Sequence, residues 1–324
     1  MRTPLARIAL AVILAALPVA GALAQAYPAK AIRVVVPFAP GGTSDIIGRT
    51  LGQRLSEAWK QPVVMDNRAG VAGSLGASIA AKSPPDGYTL LVGNVGPIAV
   101  NPQIYKAVEY DSIRDFTPIT LAVTAPQIVV VHPSVPAKTF KEFMALVKRQ
   151  KGSITFGSSG PGSVSHLSGE LFKLRAGLNL THVPYKSAGA SVADVVGGQI
   201  QSTMTSPPPA LSLAKAGRLR ILAQATAKRT SLLSDIPTFE ESGVSGVQVT
   251  NWYSIMSVGG TPKPVLKRLH DELMRAISSP DMRQRLAAGA LEPAPTTPEE
   301  FRKKIAGELQ RWARVVKDAG IKQE

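Results

Sequence analysis

Cysteine is absent from all 324 residues, which excludes a disulfide framework, thiolate catalysis and thiolate-held metal. Histidine is scarce: His132, His166, His182 and His270 are the only four. They form no H-E-x-x-H and no short ligand spacing, so no metal site is expected. No G-x-x-x-x-G-K-[ST] loop occurs, which removes nucleotide hydrolysis, and no G-x-S-x-G elbow occurs either. The nearest approach to the elbow, Gly157-Ser-Ser-Gly-Pro161, fails at its last position. Acidic residues also run short, 22 against 37 Lys and Arg, for a formal charge of +15. The basic residues are scattered and no recognition motif accompanies them, so nucleic acid is not an expected partner. A positive balance of this kind suits small anions or an anionic membrane surface.

The one stretch that resembles a membrane segment is at the N-terminus. Arg2 and Arg7 precede an apolar core from Ile8 to Val19, and Ala24-Gln25-Ala26 supplies small residues for cleavage. Residues 1–26 therefore read as a secretory signal peptide cut after Ala26, with export to the periplasm. The core is too short to span a bilayer comfortably. Losing the two leader arginines lowers the formal charge from +15 to +13.

What remains is ordinary globular composition, 44% hydrophobic and 18% charged, of a length that suits two domains. The organising stretch is Arg33-Val-Val-Val-Pro-Phe-Ala-Pro-Gly-Gly-Thr-Ser-Asp45 and the segment to Trp59. A short β-branched run enters a Gly-Gly turn, and a helix leaves it with Ile47, Leu51, Leu55 and Trp59 on one face. Thr43 or Ser44 is expected to cap that helix. Such a turn aims several N–H groups at one point at the positive end of the helix dipole, which makes an anion receptor. Asp45 would repel an anion there, so it either points away or accepts from a ligand ammonium or a water. The same grammar returns at Ile154-Thr-Phe-Gly-Ser-Ser-Gly-Pro-Gly-Ser-Val-Ser-His166. Two such turns in different halves of the chain suggest a cleft that grips an anion from both sides.

Elsewhere strands alternate with helices, which predicts a parallel sheet in each lobe. Asn94 falls just beyond the strand Tyr88–Val92, where open α/β sheets bind ligands. Gly70, Gly73 and Gly76 lack the G-x-G-x-x-G order, so no dinucleotide or other cofactor is expected, and close helix–sheet packing explains them better. The extended runs Pro118–His132 and Val247–Val258 read as a crossover into a second lobe and the return from it. Helices from Thr261-Pro262 and from Thr297-Pro298 then fold back on the first lobe. The domains become 27–124 plus 250–324, and 125–249.

Ser163 lies three residues before His166, close enough to meet on a helical turn, so an exported serine esterase is one alternative. No carboxylate completes a triad, and helix capping explains Ser163 better. Tyr185, at a strand end after Pro184, can donate to a carboxylate or pack in the core. Ser206 opens the run Ser206-Pro-Pro-Pro209 at another strand end.

Taken together, Ile32-Arg-Val-Val-Val-Pro-Phe-Ala-Pro-Gly-Gly-Thr-Ser-Asp45, Asp66-Asn-Arg68, Pro85-Asp-Gly-Tyr-Thr-Leu-Leu91, Phe156-Gly-Ser-Ser-Gly-Pro-Gly-Ser163 and His182-Val-Pro-Tyr-Lys186 resemble the Bug/TctC family. The likeness continues through Asp235-Ile-Pro-Thr238, Trp252, Thr297-Pro-Glu-Glu-Phe301 and Ala319-Gly-Ile321. These are extracytoplasmic solute receptors of tripartite tricarboxylate transporters. The resemblance implies an α/β, two-lobed periplasmic-binding-protein fold (type II-like) with two crossover strands and a ligand cleft between the lobes. It implies a small carboxylate as ligand, delivery to a membrane permease, and no catalysis. Carried over by position, the ligand-binding residues are Phe38, Gly41, Gly42, Thr43, Ser44, Asp45, Ser158, Ser159, Gly160, Gly162, Ser163, His166 and Tyr185, with Asn94 and Ser206 completing the set. An orphan receptor that signals without a permease is the other alternative. The chain departs from the family at Ile200-Gln-Ser-Thr-Met204, where a carboxylate and an aromatic ring are usual, so the distal part of the pocket differs.

Overall fold

The computed structural model describes residues 27–150 and 152–318; the signal-peptide reading and Ala319-Gly-Ile321 lie outside them. Strand β1 (Ile32–Val36) leads to helix α1 (Thr43–Trp59), and β2 (Val63–Asn67) to α2 (Ser74–Ala81). Strand β3 (Thr89–Asn94), α3 (Asn101–Ile104) and the long β4 (Phe116–Pro126) follow. The chain then enters β5 (Ile128–Val131), α4 (Phe140–Gln150), β6 (Thr155–Ser158), α5 (Val164–Ala176), β7 (Thr181–Pro184) and α6 (Ala188–Val196). After β8 (Ser202–Thr205), α7 (Pro208–Lys215) and β9 (Arg220–Gln224) it returns on β10 (Thr250–Val258). Helices α8 (Lys263–Ser278) and α9 (Pro280–Ala288), the short β11 (Glu292–Pro293) and α10 (Pro298–Asp318) complete it.

Two sheets result, one of six strands in the order β11-β4-β10-β3-β1-β2 and one of five in the order β7-β6-β8-β5-β9. Neither is wholly parallel, which corrects the expectation from the strand–helix alternation. β1 runs parallel to β2 and β3, but β10 is antiparallel to both β3 and β4. In the second sheet β6 is parallel to β7 and β8, while β5 is antiparallel to β8 and β9. The cause is the crossover itself. A chain that leaves one sheet on β4 and comes back beside it on β10 must run the opposite way, with Thr250 paired to Pro126.

β1 is covered on both faces, as its β-branched run requires. Val34 and Val36 pack with Ile47, Leu51 and Leu55 of α1, and Val35 packs on the other side in the cluster that holds Ala77, Phe301 and Trp312. Each such side chain contributes about 1.5–3 kcal/mol by leaving water. The end of β1 is thereby fixed, and so is the turn that follows.

Of the three recurring glycines, Gly76 fits close helix–sheet packing: a Cβ there would lie 2.7 Å from Pro37 Cα and 2.8 Å from Arg68 O, both backbone atoms, whereas Gly70 and Gly73 precede α2 and Gly73 holds φ +97°. Within a helix, Gly to Ala ordinarily gains about 1 kcal/mol. Here Gly76→Ala is expected to lose about 1–3 kcal/mol in denaturant unfolding, because neither backbone can yield. A stabilised variant would contradict this packing.

Candidate functional site between the sheets

A cavity of about 40 Å³ sits where the two sheets meet, room for a few waters. Phe38, Gly42, Thr43, Ser44, Asn94, Ser159, Ser163 and Ser206 line it, all among the residues singled out from sequence. Gln127, Val164, Ser165, Ala188, Thr205, Asn251 and Tyr253 line it as well. No charged side chain among the described residues does.

Three helices begin at this cavity. Gly42 is the N-cap of α1 and no side chain caps that helix, contrary to the expected role of Thr43 or Ser44. Its first N–H groups therefore stay available to an occupant. Ser163 caps α5, accepting from the His166 N–H at 3.2 Å, and Ser187 caps α6, accepting from the Ala190 N–H at 3.2 Å. Val164, Ser165 and Ala188 follow those caps in the first turns. Each helix start carries roughly half a positive charge, so the cavity favours an anion although its side chains are neutral.

The remaining predicted residues shape the turns and stand outside the lining. Gly41 adopts φ +82°, where only glycine is at ease, and its N–H donates to Asp45 Oδ2 at 3.0 Å. Asp45 is buried and turned back from the cavity. It accepts from Arg49 Nε at 3.0 Å and from Asn67 Nδ2 at 3.0 Å, while Asn67 Nδ2 also donates to Phe38 O. The open question about Asp45 thus resolves to a turn clamp. Ser158 Oγ pairs with His182 Nε2 at 2.7 Å, and Gly160 and Gly162 hold positive φ. Tyr185 donates its hydroxyl to Asp194 at 2.7 Å, and burial together with that carboxylate pushes the phenol up to about 12.

His166 accepts from the Gly162 N–H on Nδ1 at 3.1 Å and stacks on His182 at 4.1 Å. Burial, with His166 and Lys173 nearby, pushes His182 down to about 4, so this ring is neutral at pH 7. Ser163 Oγ accepts the His166 backbone N–H and pairs with Ser165 Oγ at 3.0 Å. These engagements are those of a cap and a braced turn, which leaves the esterase alternative without geometric support.

The crossing strands form the floor. Gln127 Nε2 donates to Ser206 Oγ at 2.9 Å, Ser206 Oγ shares a hydrogen bond with Tyr253 O–H at 2.8 Å, and Asn251 Nδ2 donates to Tyr253 Oη at 2.9 Å. Burial raises the Tyr253 phenol, so it stays protonated. The Thr43 hydroxyl is buried nearby with no hydrogen-bond partner among the described residues. At the rim the two halves touch: the Ala39 N–H donates to Lys186 O at 3.2 Å, and Tyr105 O–H donates to Pro161 O at 2.5 Å. Gly189 lies so near Gly41 that a Cβ would fall 2.6 Å from its carbonyl oxygen.

Gln127, Asn251 and Tyr253 escaped the sequence reading, although a signal was present. Each is a polar residue inside an extended apolar run, and Asn251 and Tyr253 alternate onto one face of β10. Ala188 had none, since a small apolar residue after Ser187 reveals nothing of the N–H it presents.

Two mixed α/β sheets joined by paired crossing strands, with a polar cavity between them, define a two-lobed solute-binding protein. The chain belongs to the family described as tripartite tricarboxylate transporter family receptor, whose model matches residues 47–321. It is 34% identical over 300 residues to protein BugT of Bordetella pertussis, covering 92% of each chain. Among solved structures, one described as a periplasmic transporter is 42% identical with a TM-score of 0.89, covering 92% of this chain and all of that one. R. palustris Rpa4515 with adipate is 34% identical with a TM-score of 0.88, at the same coverage. No helix among the described residues is long and apolar enough to cross a membrane.

Asp45 yields a prediction. Burial alone would push its carboxyl up, but hydrogen bonds from Arg49, Gly41 and Asn67 more than offset that and hold it below the ordinary aspartate range. A group with a depressed folded pKa stabilises fully above its unfolded value, about 4, and loses that contribution as pH falls through the folded one. Asp45→Asn is therefore expected to cost about 1–3 kcal/mol at pH 7, and the gap should narrow on acidification below pH about 4. Parallel melting curves across that range would contradict it.

Proposed function

We propose that this protein is a non-catalytic periplasmic receptor that captures a small organic carboxylate in the cavity and presents it to the membrane permease of a tripartite tricarboxylate transporter. The lobes 27–124 plus 250–324 and 125–249 would open and close about the crossing strands, as hinged receptors do. The observation that carries the reading is the convergence of three helix N-termini, from both sheets, on a cavity that no charged side chain among the described residues lines. Charge-assisted N–H bonds to the carboxylate oxygens supply affinity, and exclusion of water on closure strengthens them. The adipate bound by Rpa4515 supports the ligand class. With about 40 Å³ in the present state, admission of an organic acid requires the rim contacts at Tyr105 and Ala39 to part. The N-terminal export signature supports the compartment, and membership of a receptor family supports binding without turnover.

Thermal-shift screening of mono- and dicarboxylates, aromatic acids and amino acids tests this. A ligand at roughly 100 times its Kd is expected to add about 2.7 kcal/mol of stability by mass action. Silence from every carboxylate would overturn the reading. A Cβ at Gly42 would already lie 3.6 Å from Ser187 Cβ and 3.7 Å from Ala188 N. The branched side chain of Gly42→Val would run into that helix start, so binding of any acid found in the screen should be lost while the fold survives. Retained affinity would place the site elsewhere.

A further inference from the structure

One side chain of the first sheet's half reaches across to the second without entering the cavity. Tyr105 follows α3, its N–H donating to Asn101 O at 2.9 Å, and its hydroxyl donates to Pro161 O at 2.5 Å. It is not among the residues that line the cavity. Its ring lies along Gly162, where a Cβ would fall 2.8 Å from the hydroxyl oxygen and 3.0 Å from a ring carbon. A side chain at that position would push the ring away.

Both ends of this contact are held. Around Pro161 the N–H groups are used within their own turn: Ser159 donates to Ser165 Oγ, Gly160 to Ser158 Oγ, Gly162 to His166 Nδ1 and Ser163 to Gly160 O, at 3.0–3.1 Å. Pro161 has no N–H, is exposed, and gives its carbonyl to Tyr105. On the other side Asn101, fully buried, donates from Nδ2 to Ala72 O at 3.1 Å and to Ser74 Oγ at 2.8 Å. That fixes the loop whose Gly73 packs on the ring of Phe38, a cavity wall. Phenol and carbonyl are thus presented by braced backbone, and an opening of the cleft parts them.

The other rim contacts differ in kind. The Ala39 N–H and Lys186 O join two backbones at 3.2 Å, and Ser187 Oγ, which caps α6, stands 3.5 Å from Pro40 O. Beside Tyr105 a hollow of about 230 Å³, lined by Pro102, Lys106, Val108 and Tyr110, gives the ring room to turn away.

We infer that Tyr105 is a positioning residue for binding: its hydroxyl latches the closed cleft and so sets how long a solute is retained, without contacting it. The inference rests on the hinged-receptor reading. A hydrogen bond made only in the closed arrangement shifts the closing equilibrium by its own strength. For a neutral bond this near water the shift is roughly two- to tenfold. Entry precedes closure, so association is untouched.

Pulsed electron-spin distance measurement tests it. The chain has no cysteine, so Ala58→Cys on α1 and Ala145→Cys on α4, both exposed, take nitroxide labels, one in each lobe. Tyr105→Phe keeps the ring and removes the hydroxyl. With and without excess adipate as probe, it is expected to raise the ratio of long to short separations roughly two- to tenfold in at least one condition. Distributions identical to those of the labelled parent in both conditions overturn the latch. Gly189→Val, with folding checked by circular dichroism, is the wedge control, since a Cβ there would fall 2.6 Å from Gly41 O. Parting by the wedge but not by Tyr105→Phe overturns the latch and leaves the hinged receptor standing; parting by neither removes both. For each acid that the thermal-shift screen returns, Tyr105→Phe should speed dissociation by the same factor and leave association within about twofold. Equal dissociation rates would also overturn the inference.

Discussion

The opposed run of β4 and β10 is the constraint from which the rest follows. The chain must leave the first sheet and return to it, and it does both along neighbouring strands. That makes each sheet mixed, brings residues 126 and 250 into register, and sets Gln127 and Asn251 on a shared floor. The Gln127 N–H donates to Val249 O at 3.2 Å and the Ala225 N–H to Gln127 O at 2.7 Å, so the crossing is tied to the second sheet as well. A cavity roofed by turns from both sheets has its floor in the same two strands.

The electrostatics of that cavity are carried by backbone. A buried Lys or Arg would bring several kcal/mol of desolvation, whereas helix starts present their partial charge without that cost. The Asp45 carboxylate is spent on the Gly41 amide, Arg49 and Asn67, and so braces the first turn rather than opposing an anion. The turn in the second half is braced differently, by Ser165 Oγ accepting from the Ser159 N–H at 3.0 Å and by the His166–His182 stack. Both arrangements leave uncapped or just-capped N–H groups facing one space.

How much of this could be read from sequence divides along the range of the interactions. The strand–turn–helix units were legible because their causes are local: β-branched runs, positive-φ glycines and apolar residues at helical spacing. Gly76 was legible as a packing glycine for the same reason. The antiparallel strands were not, because direction is set by where the chain returns rather than by any residue in β5 or β10. Asp45 was legible as a problem but not as a clamp, since Asn67 reaches it from 22 positions away. Gln127, Asn251 and Tyr253 were hidden by the apolar runs around them, although a polar residue inside such a run is a signal in itself, and all three line the cavity. Tyr185 illustrates the converse: a phenol at a strand end had two credible roles, and its hydroxyl is committed to Asp194.

On the proposed function, backbone N–H groups at helix starts, and not cationic side chains, hold the anionic group. A crystal structure of the protein grown with a carboxylate that raises its melting temperature tests this most directly. Carboxylate oxygens are expected within hydrogen-bonding distance of main-chain nitrogens in the first turns of α1 and α5. An acid held by a lysine or arginine, or lodged away from Gly42 and Ser163, would contradict it.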